Sequence, residues 1–292
     1  MKLQKVIVLM LLFSSISSLN LSAQQCYSDD YVEISSVKFK NENYTVVTML
    51  RDGERIKAKY FAAKDYNGNS VYNRYLEWKK SHSKVILLSS GTYMDSYGNP
   101  QGLTIDNGQI VNQSLIQDRM DALVIVYATG GVVVSNLKDG DLRIKINGVD
   151  RVLDLRRSAG DLDDFIQWAE DQQATVFQTH LLVYKNQIKI DPNTSSRTSR
   201  ERRFLAVGKN EEGKIVHAIV HCPQYSSLYD GTEKTLDFLE TAKQMSITFM
   251  INLDTGAQDV FELHNSNCSP NQAIKGQLEP SKAVNLLAYY FN

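Results

Sequence analysis

The stretch Ile247-Thr-Phe-Met-Ile-Asn-Leu-Asp-Thr-Gly-Ala257 decides the fold, because an apolar, partly β-branched run stops there at an abrupt polar turn. The run predicts a buried strand, and Asp254-Thr255-Gly256 predicts the tight turn at its end. A carboxylate at the end of a buried strand, beside a glycine that lets a ligand approach the backbone, is a common way to build a site. The alternative is that Asp254 only caps the turn.

Short apolar runs separated by turn signals fill much of the remaining chain. Arg51-Asp-Gly-Glu54, Thr129-Gly-Gly131, Asn147-Gly148 and Glu211-Glu-Gly213 each lie between two such runs. Asn-Gly and Gly-rich pairs favour the tight turns of β-hairpins. The sequence therefore predicts that most sheet pairings are antiparallel.

Helical periodicity appears in three places between these hairpins. We predict helices over Val71 to Ser81, Ser158 to Gln173 (with Asp161 as N-cap) and Thr232 to Met245. Val176 to Val183 is predicted as one strand. Hairpins with inserted helices favour an α+β fold, which we predict as a single domain with a mixed or antiparallel β-sheet core and helices packed outside.

The N-terminus has the pattern of a secretory signal peptide. Lys2 and Lys5 precede an apolar run, Val6 to Phe13, and a small residue stands at the cleavage point, Ala23. We therefore predict a signal peptide over residues 1–23, N-terminal strands over 24–59 and the main domain over 60–292. The protein is expected to be exported to a periplasmic or extracellular setting, without stable membrane insertion after cleavage.

Composition excludes several classes of function. The formal net charge is −1, so no overall charge draws the molecule to nucleic acid. The sequence has no Cys-x-x-Cys, no His-Glu-x-x-His and no Gly-x-Gly-x-x-Gly, so we predict no metal and no cofactor. The oligomeric state is left open.

Three cysteines in an exported chain favour one disulfide and one unpaired thiol. We predict the pair Cys222–Cys268, because both flank elements of the C-terminal half. Cys26 remains an alternative partner.

Five short motifs follow one another between Tyr60 and Tyr290. They are Ser90-Gly91-Thr92-Tyr93, Pro100-Gln101-Gly102-Leu103, Asp106-Asn107-Gly108, Arg203-Phe-Leu-Ala-Val-Gly208 and Leu253-Asp254-Thr255-Gly256-Ala257-Gln258. In this order they resemble the motifs of the phosphodiester glycosidase family. The resemblance implies hydrolysis of a sugar-1-phosphate diester on an α+β fold.

The chain departs from the family pattern in the motifs themselves. Ser90 stands where the family has Asn, Thr255 replaces a Gly, and Ala257-Gln258 replaces Gly-Ser. The gap between Arg203 and Gly208 is one residue longer. A Cβ at Thr255 narrows or reshapes a turn in which glycines let substrate approach the backbone.

The resemblance also implies residue roles. Asp254 is the expected base, nucleophile or electrostatic stabiliser, and Arg203 the expected bidentate phosphate ligand. Against this, Arg203 belongs to an Arg-rich cluster (Arg197, Arg200, Arg202) that favours a solvated surface. The residues expected to bind substrate are Ser90, Gly91, Tyr93, Asp95, Gly102, Thr255 and Gly256.

Two of the expected side chains have equally good structural interpretations. Tyr93 can stack on a sugar ring or end a strand in the core. Asp95 is a candidate second carboxylate, and turn chemistry explains it as well. His180, like two other histidines on predicted strands, is interpreted as structural rather than catalytic.

Two functions follow from these observations. The leading hypothesis is an exported hydrolase that cleaves a sugar-1-phosphate diester of an envelope or extracellular glycan. The alternative is a catalytically impaired homologue that acts as a glycan-binding or surface interaction module, and the substitutions at Ser90, Thr255, Ala257 and Gln258 favour it. The ligand expected in both cases is a sugar phosphate or a glycan.

Overall fold

The computed structural model of the chain describes residues 22–51, 55–62, 68–82, 84–264 and 274–292. The predicted signal peptide therefore lies outside the described residues except for Ser22 and Ala23, which begin the first strand. Most of the predicted turn at 51–54 and Cys268 also lie outside them.

Strands are the most abundant element of the described chain. In chain order they are β1 (Ser22–Ser28), β2 (Val32–Phe39), β3 (Glu42–Leu50), β4 (Ile56–Phe61), β5 (Val85–Ser90), β6 (Thr104–Asp106), β7 (Gln109–Asn112), β8 (Ala122–Val126), β9 (Val132–Asn136), β10 (Leu142–Ile146), β11 (Val149–Leu153), β12 (Thr175–Thr179), β13 (Leu181–Tyr184), β14 (Gln187–Ile188), β15 (Arg200–Lys209), β16 (Ile215–Ser226), β17 (Ser246–Leu253), β18 (Val260–Leu263), β19 (Ile274–Lys275) and β20 (Leu286–Phe291).

Helices lie between the strands as the periodicity predicts. They are α1 (Val71–Lys80), α2 (Ala159–Asp171), the short α3 (Pro192–Ser195) and α4 (Leu228–Thr241), with a 3₁₀ turn at Pro280–Lys282. The predicted N-cap of α2 is wrong by three residues. The Ser158 hydroxyl caps the helix by accepting the Asp161 N–H at 3.1 Å, so Asp161 lies in the first turn.

The strands form three main sheets and a separate hairpin of β10 and β11. The large sheet has the order β1-β2-β3-β16-β15-β17-β13-β14, the middle sheet β7-β6-β12-β8-β9 and the C-terminal sheet β19-β18-β5-β20-β4. All of the pairings between described strands are antiparallel. The antiparallel pairing that the hairpin turn signals predict is therefore present in the described strands.

The main hydrophobic core lies where the three sheets face one another. Leu205 of the large sheet, Phe177 of the middle sheet and Leu287 of the C-terminal sheet are all buried in this one cluster. Burial of apolar side chains between sheets is the main stabilising term of such a fold. The N-terminal strands contribute too, since Ile34 and Val47 belong to the same cluster.

One helix covers the outer face of each sheet. Phe238 and Leu239 of α4 pack on the large sheet, Phe165 of α2 on the middle sheet, and Tyr75 of α1 on the C-terminal sheet. Each helix buries one apolar stripe and leaves its other face to solvent. The predicted α+β domain with helices packed outside is confirmed.

The predicted strand 176–183 is in fact two strands in different sheets. β12 belongs to the middle sheet and β13 to the large sheet, and His180 is the residue between them. A continuous apolar run does not show where a chain passes from one sheet to the next. This junction matters because it brings the two sheets together beside the end of β17.

Three strand ends meet at this point. The Asn252 N–H of β17 donates to the His180 carbonyl at 3.2 Å, and the Thr179 hydroxyl donates to the Asn252 carbonyl at 2.8 Å. The Asp254 N–H donates to the carbonyl of Gly91, just after β5, at 2.8 Å. The ends of β5, β12 and β17 are thus held together by two main-chain hydrogen bonds and one from a side-chain hydroxyl.

None of the helices formed by the described residues has the length and apolar character that crossing a membrane requires.

Candidate functional site

The carboxylate of Asp254 is fixed by its own turn. Its side chain is buried, Oδ1 accepts the Gly256 N–H at 2.8 Å, and Oδ2 accepts Nε2 of Gln258 at 2.9 Å. Burial raises the pKa of this carboxyl, while the hydrogen bonds from Gln258 and Gly256 lower it. The turn therefore both desolvates the acid and stabilises its ionised form.

A cavity of about 680 Å³ opens beside this carboxylate. Its lining comes from all the strand ends that meet here and from the segment before β15. The lining residues are Tyr93, Gln101, Asp118, Arg119, Asp121, Lys138, His180, Lys189, Ile190, Asp191, Thr194, Ser195, Thr198, Arg200, Arg202, Leu228, Asn252, Asp254 and Thr255. Its volume is in the range of small-ligand sites.

Three arginines line one part of the cavity. Arg202 is buried, and it donates from Nε to the Ser226 carbonyl at 3.0 Å and from Nη2 to the Thr198 carbonyl at 2.6 Å. Burial lowers the pKa of Arg202, so its charge is held in a partly desolvated place. Arg200 and Arg119 are exposed and complete a basic wall that suits an anionic ligand.

Arg119 has a backbone conformation that side chains with a Cβ rarely adopt. Its φ is 70°, in the left-handed region. Such strain persists only where the surroundings hold it, and it is concentrated at functional sites.

Tyr93 and Asn252 also line the cavity. Nδ2 of Asn252 donates to the Tyr93 hydroxyl at 2.5 Å, and the Tyr93 ring meets the His180 ring edge to face at 5.3 Å. Burial raises the pKa of Tyr93, so its hydroxyl stays protonated. Because that hydroxyl accepts from Asn252, its own proton is available to a ligand.

Arg203 does not line this cavity. The side chain is fully buried, and Nη1 donates to Oδ1 of Asp259 at 2.7 Å and to the Val260 carbonyl at 3.1 Å. Its guanidinium lies over the Phe261 ring at 4.3 Å. Side chains alternate across a strand, so Arg202 and Arg203 point to opposite faces of the large sheet. The arginine placed to meet a ligand in the cavity is Arg202.

Ser90 and Gly91 support the site from behind. The Ser90 hydroxyl is buried, donates to the Gln258 carbonyl at 2.8 Å and accepts the Val260 N–H at 2.8 Å. A Cβ on Gly91 would lie 2.5 Å from both Oδ1 of Asn285 and the Tyr60 ring. Both residues therefore hold the Asp254 segment against β5 and do not line the cavity.

Gly102 and Asp95 are also explained by local structure. Gly102 has φ 82°, and a Cβ there would lie 2.7 Å from Oε1 of Gln178. Oδ1 of Asp95 accepts the N–H groups of Tyr97 at 2.8 Å and Asn99 at 2.9 Å, as an Asx turn does. These hydrogen bonds lower the pKa of Asp95, with the Asn99 N–H the largest cause.

Thr255 and Gly256 separate the cavity from a second hollow of about 630 Å³. Thr255 and Arg200 line both, whereas Gly256, Glu201 and Asp259 line only the second. The Thr255 hydroxyl donates to the Glu201 carbonyl at 2.7 Å. The side chain of Thr255 thus connects the turn after β17 to the start of β15.

The predicted disulfide Cys222–Cys268 is wrong. Cys222 is a free, buried thiol within hydrogen-bonding distance of the Thr235 hydroxyl, at 3.3 Å. It faces α4 among apolar side chains, so no cysteine approaches it in the described chain. Of the two cysteines among the described residues, Cys26 is the one that forms a disulfide.

Of the predicted site residues, the structure brings Tyr93, Asp254 and Thr255 together in the cavity. Sequence reasoning missed Arg119 and Asn252 and assigned Arg200 and Arg202 to a solvated face. Because side chains alternate along a strand, the sequence does indicate that Arg202 and Arg203 face opposite sides of the sheet. Only the register of β15 shows which of these two arginines faces the cavity. In the described residues no group of three or more His, Cys, Asp or Glu is placed to hold a metal ion.

Comparison with known proteins gives similarity in structure alone. No protein-family model and no curated protein matches the sequence. One similar solved structure is the zebrafish N-acetylglucosamine-1-phosphodiester alpha-N-acetylglucosaminidase catalytic domain, at 14% identity over 93% of this chain and 88% of that chain, TM-score 0.48. Another is a hypothetical protein from Synechocystis, at 9% identity, TM-score 0.50, over 93% of this chain and 64% of that chain. These likenesses concern the fold.

Proposed function

We propose that this chain is an exported hydrolase that cleaves a sugar-1-phosphate diester at the bond between the anomeric carbon and the phosphate oxygen. One observation carries the proposal: a buried carboxylate, Asp254, faces a cavity whose wall holds Arg200 and Arg202. An anionic phosphate suits the arginines, and a cationic transition state at the sugar suits the carboxylate. The order of the sequence motifs points to the same reaction.

The arginines would hold the phosphate. Two N–H groups of Arg202 are used on backbone carbonyls, which fixes the guanidinium and leaves other N–H groups for a ligand. Arg200 is exposed and lines the same cavity, so its guanidinium is available to a bound phosphate. In this proposal the phosphate role that the motifs imply for Arg203 passes to these two neighbours.

Asp254 would act on the sugar. Departure of the phosphate leaves positive charge on the anomeric carbon and ring oxygen, and an ionised carboxylate stabilises it. Burial raises the pKa of Asp254, and the hydrogen bonds from Gln258 and Gly256 oppose that rise by favouring the ionised form. Because a phosphate is already a good leaving group, one carboxylate suffices without a strong general acid.

The test is hydrolysis of a panel of sugar-1-phosphodiesters by the wild type and matched variants. We expect Asp254→Asn to lower kcat on the order of 10²-fold or more, the loss found when a preorganised electrostatic group is removed. Arg200→Ala should raise KM. Asp95→Asn and Arg197→Ala are the controls, since both make the same chemical changes outside the cavity. Normal turnover by Asp254→Asn, with folding verified, would contradict the assignment.

A binding module is the second candidate, and one observation favours it. Both oxygens of Asp254 already accept hydrogen bonds, and Gln258 supplies one of them from a position where the family has Ser. A carboxylate engaged in this way is less free to take part in chemistry. Calorimetry with an intact sugar-1-phosphodiester separates the two candidates, because a binding module retains the ligand uncleaved while Arg200→Ala weakens its affinity.

A further inference from the structure

His180 lies at the junction of β12 and β13, and its ring lines the cavity beside Tyr93 and Asn252. We propose that His180 is the general base of the hydrolysis, the group that takes the proton of the attacking water. The inference rests on the proposed function, and it assigns a catalytic part to a residue outside the motif pattern.

The hydrogen bond of His180 fixes its tautomer. Nδ1 lies 2.9 Å from the Arg119 carbonyl oxygen, which can only accept. Nδ1 must therefore carry the hydrogen, and in the neutral ring the lone pair is on Nε2. Within the described part of the chain no group pairs with Nε2, so this lone pair is free for a molecule in the cavity.

The surroundings favour the neutral ring. Burial lowers the pKa of His180, helped by the charges of Arg119 and Arg202 and opposed by the Arg119 carbonyl and Asp121. Tyr93, which packs edge to face on the ring, stays uncharged. In a neutral imidazole the nitrogen without a hydrogen carries a lone pair that can accept a proton from water.

The ring is also held rigidly. The His180 carbonyl accepts the Asn252 N–H at 3.2 Å, and the strands on either side are buried. The strained φ of Arg119, 70°, places the carbonyl that orients the ring. A base that is positioned in advance by its supports loses little entropy at the moment of reaction.

Asp254 is poorly placed to serve as the base itself. Gly256 and Gln258 donate to its two oxygens, which suits a fixed negative charge more than proton transfer. The two roles therefore separate: Asp254 stabilises charge and His180 moves the proton. Separated roles in one cavity are typical when two titratable groups have different surroundings.

In the proposed hydrolysis, water adds to the anomeric carbon of the sugar and the phosphate group leaves. Nε2 of His180 takes one proton from water, and the water oxygen forms a bond to the anomeric carbon. The bond from that carbon to the phosphate oxygen breaks, and its electron pair leaves with the phosphate. The products are the free sugar and a phosphomonoester, and the imidazolium then releases its proton to solvent.

The decisive variant is His180→Asn. Asn can keep a hydrogen bond from Nδ2 to the Arg119 carbonyl but has no basic nitrogen, so it separates positioning from proton transfer. We expect kcat to fall on the order of 10²- to 10⁴-fold with little change in KM. His180→Ala should behave alike and regain activity with added imidazole. His82→Ala, outside the cavity, is the control for histidine loss and for imidazole itself.

Three outcomes can be told apart. A fall in kcat with imidazole rescue of His180→Ala supports the base. Full activity of His180→Asn, or a loss that appears only in KM with an unchanged pH profile, overturns it and leaves the proposed function standing. A wild type that cleaves no diester refutes the proposed function and with it any base role for His180.

Discussion

The amide of Gln258 donates to Oδ2 of Asp254 at 2.9 Å, and the same side chain accepts the Val284 N–H at 2.9 Å through Oε1. Gln258 therefore connects the candidate catalytic carboxylate to the segment that precedes β20. Its hydrogen bond favours the ionised form of Asp254 and so opposes the effect of burial on the pKa of that carboxyl.

Replacing Gln258 should move the pH dependence of the site. Its hydrogen bond lowers the pKa of Asp254, so Gln258→Met should raise that pKa. Gln258→Glu should raise it further, since it adds a nearby carboxyl. The acid limb of kcat/KM, or of ligand binding, should shift to higher pH in the order wild type, Met, Glu. An acid limb that stays in place in both variants would show that Asp254 does not govern it.

The Arg203–Asp259 pair should be essential for stability. Asp259→Ala leaves the buried Arg203 charge unpaired, and we expect a loss of about 3–5 kcal/mol in the free energy of unfolding. The double change Arg203→Met with Asp259→Leu should cost less, because it leaves no unpaired charge. Urea denaturation measures both. Lys214→Ala, at an exposed pair with Glu212, is the control and should change nothing measurable.

Gly91→Ala should both destabilise the fold and disturb the site. The added Cβ would lie 2.5 Å from Asn285 and Tyr60, and the Gly91 carbonyl holds the Asp254 N–H. Overpacking of this kind costs about 1–3 kcal/mol. Gly160→Ala in α2 is the matched control: its nearest neighbour is 4.0 Å away, so thermal unfolding should occur at the same or a higher temperature. Equal melting temperatures for both variants would contradict the packing argument.

Thiol titration tests the corrected cysteine assignment. Burial raises the pKa of Cys222 to about 12, so the native protein should react with no thiol reagent, and the unreduced, denatured protein should expose one thiol. Cys26→Ser should lower the free energy of unfolding by about 2–5 kcal/mol and expose two thiols on denaturation. If instead Cys222→Ser lowered the free energy of unfolding by a similar amount and exposed two thiols on denaturation, the pairing Cys222–Cys268 would be correct.

Two buried histidines should make the protein sensitive to acid. Burial lowers the pKa of His217 to about 3 and of His221 to about 2, against about 6.5 in an unfolded chain. The unfolded state then binds more protons, so the free energy of unfolding falls as the pH drops below about 6.5. His217→Gln should flatten that slope in denaturation curves between about pH 7 and pH 4. An unchanged slope would mean that His217 is not the group concerned.

Local sequence signals predicted the elements, and long-range packing decided the site. Asn147 and Gly148, both at positive φ, form the hairpin turn that an Asn-Gly pair predicts. In contrast, nothing local shows that the run 176–183 changes sheets at His180, since both sides are equally apolar. Local signals also cannot tell which cysteine meets which, because pairing depends on strands far apart in sequence.

The position of Asp254 was predictable because its signal is local, an apolar strand that ends in Asp-Thr-Gly. The sequence could not predict whether Arg202 or Arg203 lines the cavity, because a shift of one residue in β15 exchanges these two side chains between the faces of the sheet. Asn252 was hidden for a related reason: it is a polar residue inside an apolar run, and its side chain finds a partner, the Tyr93 hydroxyl, only where the ends of β5 and β17 meet.

Hydrolysis of a sugar-1-phosphodiester in oxygen-18-labelled water tests the central claim most directly. If Asp254 supports departure of the phosphate from the anomeric carbon, the label must appear in the hydroxyl of the released sugar, and Asp254→Asn must release little sugar. Label in the phosphomonoester would mean that water attacks phosphorus. Absence of turnover by the wild type would contradict the proposed hydrolase activity. Mass spectrometry of the two products distinguishes these results.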